Sequence, residues 1–169
     1  MKDQKIKKLV LSSIFAAIVC AATAVVSFPL PGRGFANLGD CFVIICGGLI
    51  GSWWGFASAA IGSALSDIIL GYAVYAPVTF IIKGLMALAV YYIAAKNGKT
   101  SVLKTALSAV AAEIIMIAGY FLFELAVFGA GVAIPDLVGN GMQAVVGAVT
   151  GTVLLSVFLK NKKLYSFFE

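Results

Sequence analysis

The sequence has no histidine, and charged residues make up only 11% of it. The commonest general base and metal ligand is therefore missing. Three cysteines, Cys20, Cys41 and Cys46, lack the spacing of a metal site, and an odd number excludes a closed disulfide framework. They read as small packing residues. There is no Walker A loop, no G-x-S-x-G elbow and no evident nucleophile–base pair. No catalytic residue, metal site or cofactor is expected, and the chain carries no ATPase of its own. No internal repeat is visible, which disfavours a transporter built from inverted halves. No low-complexity segment is present, and the apolar runs do not alternate as barrel strands would.

What the chain does have is apolar length. It is 62% hydrophobic over 169 residues, with a mean hydropathy of +1.08. A soluble domain of that size has no way to hide so much apolar surface. The fold class expected is an all-α integral membrane protein, a single domain over 1–169. Six transmembrane helices are predicted at about 9–28, 39–52, 54–70, 77–95, 102–128 and 137–159. The second and third are short and split only near Ser52, Trp53 and Trp54, so they form a tight hairpin of small residues. Lys2, Lys5, Lys7 and Lys8 precede a run about one full span long, with no convincing cleavage site after it. That run is a retained first helix rather than a signal peptide.

The lysines set the orientation. With the N-terminus inside, the inner segments hold Lys2, Lys5, Lys7, Lys8, Lys96, Lys99, Lys104, Lys160, Lys162 and Lys163, ten of the twelve basic residues. The positive-inside rule then places both ends inside, and an even number of spans follows. The net charge of +5 is explained by orientation and does not point to nucleic acid. The first outer loop, from Pro29 to Asn37, holds two Pro and two Gly. It cannot be helical throughout and suits a lid. In the third outer loop, Pro135-Asp136 reads as the start and cap of the last helix.

Against this apolar background, one group of polar residues stands out. Asp40, Asp67, Lys83, Glu113, Glu124, Asn140 and Gln143 come from five spans, and all lie in the outer half or at the midplane. Lys83 is about six residues, or roughly 9 Å, into its span. Glu113, Tyr120 and Glu124 share one helical face, as do Thr79 and Lys83, and Asn140 and Gln143. A pocket between these faces is the economical arrangement, because polar groups in hydrocarbon are costly and usually functional. Internal ion pairing is the alternative, with Asp67 or Glu113 as the partner of Lys83. Asp40 also suits the cap of the second helix, and Glu124 an interface position. Four carboxylates against Lys83 and Arg33 disfavour a phosphate or polyanion. They favour a small ligand rich in N–H and O–H donors, or one bearing a protonated ring nitrogen. Phe35, Tyr72, Tyr75, Phe80 and Tyr120 can stack on a flat ring.

A second pattern is small residues at four-residue spacing. Ser13, Ala17 and Ala21 form one stripe on the first helix and Ala16, Cys20 and Ala24 the next, while Gly147 and Gly151 repeat it on the sixth. Such faces let helices approach closely in lipid. On the sixth helix this suits internal packing. On the first it suits docking of a partner.

In its size, helix number, end orientation and basic N-terminus, the chain resembles the substrate-binding S-component of an energy-coupling factor (ECF) vitamin transporter. Ala17-x-x-x-Ala21 resembles that family's docking motif. Asn37-Leu38-Gly39-Asp40, the segment from Ile61 to Asp67 and the segment from Tyr75 to Gly84 resemble an uncharacterised-to-riboflavin-like branch of S-components. The resemblance implies a prokaryotic cell membrane and a vitamin bound between loop 1 and helices 4, 5 and 6. It also implies a transmembrane coupling subunit with two ATPase subunits that use the ATP, and release inside by toppling. Carried onto this chain, with Asp40 added from the polar cluster, the substrate site is Phe35, Asn37, Asp40, Thr79, Lys83, Glu113, Tyr120, Asn140 and Gln143. Ser13, Ala17 and Ala21 would meet the coupling subunit. Pyridoxine, pyridoxamine or hydroxymethylpyrimidine suits the compact carboxylate-bearing site, with riboflavin the main rival. Thiamine would call for Trp and His at the site, and biotin for cationic partners. A self-contained channel would need polar residues in both halves, and an intramembrane enzyme would need a legible reaction.

Overall fold

The computed structural model describes residues 2–96, 101–161 and 168. Lys99, Lys162 and Lys163 of the orientation argument lie outside these. Six helices are present among the described residues. They are α1 (Lys2–Val25), α2 (Asp40–Ile45, widening into a π turn at Cys46–Ile50), α3 (Ser52–Ile69), α4 (Ala76–Val90, widening likewise at Tyr91–Ala95), α5 (Val102–Val127) and α6 (Ala130–Lys160). Four stretches, Asp3–Val25, Ala76–Ala95, Val102–Val127 and Ala130–Lys160, are each long and apolar enough to cross a membrane. The helix and π turn over Asp40–Ile50 are apolar but shorter. Almost every residue from Asp40 to Ile50 is buried, so this element is a central core packed by α1, α3, α4 and α6 rather than a lipid-facing span.

Burial is inverted relative to a water-soluble domain. Val138 is 70% exposed, while Asp136, two residues earlier, is 0% exposed. Exposed Ile, Leu and Val run along α1, α3, α5 and α6, whereas Asp40, Asp67, Lys83, Glu113 and Glu124 are inside. Apolar side chains outside and charges inside suit a hydrocarbon solvent.

Helix boundaries depart from the sequence expectation where backbone chemistry intervenes. α1 stops at Val25 instead of 28 because the next residues form a strand. β1 (Ser27–Pro29) pairs antiparallel with β2 (Phe35–Asn37), with Phe28 opposite Ala36. Pro29 biases Phe28 toward extended backbone, and loop 1 is therefore a β-hairpin. The break between α2 and α3 falls at Gly51, with φ +96°, so Ser52, Trp53 and Trp54 open α3 instead of forming the turn. α6 begins at Ala130 rather than 137, after Gly129 at φ +84°. Pro135 therefore lies inside the helix, and Asp136 is not its cap. A proline this near the helix start removes an N–H that would have bonded Gly131, in the first turn.

The connections on one side of the bundle meet. Phe35 of the hairpin stacks on Tyr72 at 4.7 Å, and Tyr75 packs on Phe128 at 5.8 Å. The Arg33 guanidinium lies 5.1 Å over the Phe128 ring. At the opposite end Phe168 packs on Phe15 and Phe158 at 6.0 and 6.2 Å.

Close helix approach depends on small residues. A Cβ at Gly62 of α3 would come within 2.4 Å of the Ala16 carbonyl oxygen of α1, whereas one at Gly141 would meet nothing within 4 Å. Gly62→Val is expected to lower stability in detergent by about 1–3 kcal/mol through overpacking. Gly141→Ala is expected to raise it by about 0.5–1 kcal/mol through helix propensity. Unfolding of the two purified variants beside the wild type checks both signs.

Candidate functional site

Where the hairpin folds over the bundle it closes a cleft. Gly34, Phe35 and Asn37 come from the hairpin, Asp67 from α3, and Tyr75 from the residue before α4. Thr79 comes from α4, Tyr120 and Glu124 from α5, and Asn140 from α6. The cavity measures about 20 Å³, which is room for about one water. Anything larger requires the hairpin to lift.

A chain of buried polar contacts supports this cleft. Asp40 and Lys83 form a salt bridge, 0% and 3% exposed at their side chains. The other Asp40 oxygen accepts from Gln143 Nε2 at 2.5 Å. Gln143 Oε1 in turn accepts from the Asn37 backbone N–H at 2.8 Å and from Asn37 Nδ2 at 3.4 Å. Asn37 Oδ1 accepts from Gly39 N–H at 2.8 Å, which holds the turn into α2. The Lys83 ammonium lies 5.5 Å from the Tyr120 ring centroid, and the Tyr120 hydroxyl bonds Thr79 at 3.0 Å. The base of the hairpin is thus connected through α6, α2 and α4 to the cleft wall on α5.

The tip of the hairpin is held separately. Asp136 accepts from the backbone N–H of Gly32 at 2.6 Å and from those of Arg33 and Gly34 at 3.1 Å each. A Cβ at Gly32 would sit 2.5 Å from that carboxyl group, so glycine is required for this approach. Asp136, Asn140 and Gln143 share one face of α6. Two of them grip the hairpin about 10 Å apart along the helix, and Asn140 faces the cleft between them.

Measured against the sequence expectations, Phe35, Asn37, Thr79, Tyr120 and Asn140 line the cleft. Asp40, Lys83 and Gln143 are engaged with one another behind it. Lys83 pairs with Asp40, and not with either of the partners considered from the sequence, Asp67 and Glu113. Glu113 is buried, with both oxygens unpartnered among the described residues. A Cβ at Gly147 would come within 2.3 Å of its Oε1. Of the five aromatics expected to stack, Phe80 is turned away: it packs edge-on against Phe56 at 5.8 Å. The carried-over substrate set leaves out Asp67, Tyr75 and Glu124, which also line the cleft, and Asp136, which holds the hairpin tip. Asp67 and Glu124 read equally well as ion-pair or interface groups, and Asp136 as a helix cap.

On the far side of α1, Ser13, Ala17 and Ala21 line an apolar groove of about 630 Å³ against α3, together with Ala16, Cys20, Ala24, Trp54, Ile61 and Leu65. Gly147 and Gly151, by contrast, face inward, against Asp40 and Glu113 and against Ile44.

Comparison with known proteins agrees with this architecture. The family model described as ECF-type riboflavin transporter, S component, matches residues 3–160. A protein of Pyrococcus woesei, described as an uncharacterized protein in gap 3'region, is 31% identical over 134 residues, which is 79% of this chain and 88% of that protein. The chain belongs to the ECF-type riboflavin transporter S-component family. It is a multi-pass membrane transport subunit that binds a vitamin, not an enzyme.

The grip of Asp136 gives a prediction. Asp136→Ala leaves three backbone N–H groups without their acceptor, at a cost of about 1–3 kcal/mol for each group that stays buried. Amide exchange at Gly32, Arg33 and Gly34 is expected to speed up while exchange within α4 and α5 is unchanged.

Proposed function

We propose that the cleft captures a small heteroaromatic vitamin such as pyridoxine, pyridoxamine or hydroxymethylpyrimidine from outside the cell. The single observation that carries this reading is the cleft itself. A hairpin lid closes over aromatic rings, hydroxyls, an amide and carboxylates contributed by α3 to α6. Rings of Phe35, Tyr75 and Tyr120 offer faces to a flat ligand, and the polar groups offer hydrogen bonds at its edges. The closed cleft holds about one water, so the hairpin has to lift for any vitamin, and a single-ring one asks for the smaller opening.

The proposed topology has six crossings with both ends inside, in the plasma membrane of a prokaryote. Its support is the collection of the hairpin, the Leu70–Tyr75 turn and the Phe128–Gly129 turn at one end, away from Lys96, Lys104 and Lys160. A transmembrane coupling subunit and two ATPase subunits supply the energy, and the chain releases its ligand inside by toppling once docked. ATP belongs to those partners; this chain takes no cofactor. The α1–α3 groove, with Ser13, Ala17 and Ala21 on its wall, is the proposed docking face. Small residues there allow a partner helix to approach closely.

Riboflavin is the second reading, favoured by the description of the matching family. A self-contained channel is disfavoured by the apolar packing of Val43, Ile44, Leu49 and Ile50 in the centre of the bundle.

Mass spectrometry of small molecules released from the purified protein tests the ligand. A pyridine or pyrimidine vitamin is expected. Riboflavin instead would establish the second reading. Absence of any ligand, together with ion or solute flux through the chain alone in liposomes, would contradict both. Ala17→Leu and Ala21→Leu are expected to leave ligand affinity unchanged and to abolish uptake by whole cells. Uptake at the wild-type rate in both would remove the groove from the docking face.

A further inference from the structure

The cleft wall carries two carboxylates whose capacity to accept hydrogen bonds is not used up. Glu124 is 1% exposed; its Oε1 accepts from the Tyr75 hydroxyl at 3.2 Å, while its Oε2 is buried with no partner among the described residues. Asp67 is 3% exposed, and its Oδ2 is likewise unpartnered. Both residues line the cleft. A buried carboxylate oxygen without a donor is costly, and a carboxylate kept inside a membrane bundle is functional by default.

The buried cation nearby is committed elsewhere, and the exposed Arg33 is not part of the cleft lining. Lys83 is paired with Asp40, and the Arg33 guanidinium lies over the Phe128 ring. The third carboxylate at this end, Asp136, is filled by the hairpin N–H groups. Two buried carboxylate oxygens of the cleft lining therefore lack donors among the described residues, and a ligand can supply them.

We infer that Asp67 and Glu124 are the specificity-determining residues of the cleft. They accept from two separate N–H or O–H donors on a flat heterocycle, one reached from α3 and one from α5, and they turn away the phosphate ester of the same vitamin. A phosphate adds negative charge and acceptor oxygens beside two carboxylates, a like-charge juxtaposition in a poorly screened site. This inference rests on the vitamin-binding reading above and adds the rule by which the site chooses.

Titration calorimetry of the full chain in detergent tests it. The probes are pyridoxine, pyridoxamine, hydroxymethylpyrimidine and riboflavin, each beside its phosphate ester. The vitamin that binds is expected to do so about a hundredfold or more tightly than its ester. Asp67→Asn and Glu124→Gln, with wild-type elution and melting, are each expected to weaken that vitamin by about tenfold or more, the loss of a charge-assisted bond. An ester that binds as well as its vitamin overturns the assignment and leaves the vitamin-binding reading standing. So does undiminished affinity in either variant. Should a variant not fold, the ester comparison on the wild-type protein decides. Failure of all four vitamins to bind overturns the assignment and the vitamin-binding reading together.

Discussion

Lys83 and Asp40 hold each other inside the bundle, and the rest of the binding end is arranged around that pair. Both are almost wholly buried, and neither is tolerable there alone. Removing one partner of a buried pair typically costs about 3–5 kcal/mol, because the other charge is left uncompensated. The pair fixes the start of α2 against α4. The second Asp40 oxygen then recruits Gln143 of α6, and Gln143 recruits Asn37 at the base of the hairpin. One ion pair thus sets the register of three helices and ties down the base of the hairpin.

The apolar majority of the chain follows from the same arrangement. Its buried charged and amide groups face inward, and the outer faces of α1, α5 and α6 are free to be Ile, Leu and Val. Along the flank of α1 and α3, small residues leave an apolar groove with Ser13, Ala17 and Ala21 on its wall. The polar cleft under the hairpin and the apolar groove proposed for docking are therefore separate parts of one small molecule. That separation suits a subunit that captures its cargo on one side and borrows its energy from a partner.

Much of this was legible in the sequence because the bilayer makes polarity conspicuous. Asp40, Lys83, Asn140 and Gln143 stand out in apolar runs, and helical spacing places them on shared faces. Their partners were not legible, since the choice of Asp40 over Asp67 or Glu113 for Lys83 depends on how α2 sits between α4 and α6. Pro135-Asp136 looked like a helix start because proline and aspartate usually are one. The positive φ of Gly129 moved that start upstream and turned Asp136 from a cap into the anchor of the hairpin tip. Phe80 shared the right depth with the cleft aromatics, but its position on α4 turns it toward Phe56. Depth and periodicity are one-dimensional properties. Rotation about a helix axis and the pairing of particular helices are not.

The hairpin closes the proposed binding cleft. It is anchored at its base by an amide and at its tip by a carboxylate that accepts three backbone N–H groups, and the cleft lies between the two anchors. The most direct measurement is an experimental structure of the chain with its copurified or added vitamin. The account predicts a flat ligand between the hairpin and α4, α5 and α6, lying on Phe35 and Tyr120, with the Lys83–Asp40 pair intact behind it. A ligand lodged in the α1–α3 groove, or one contacting Lys83 with Asp40 displaced, would contradict it.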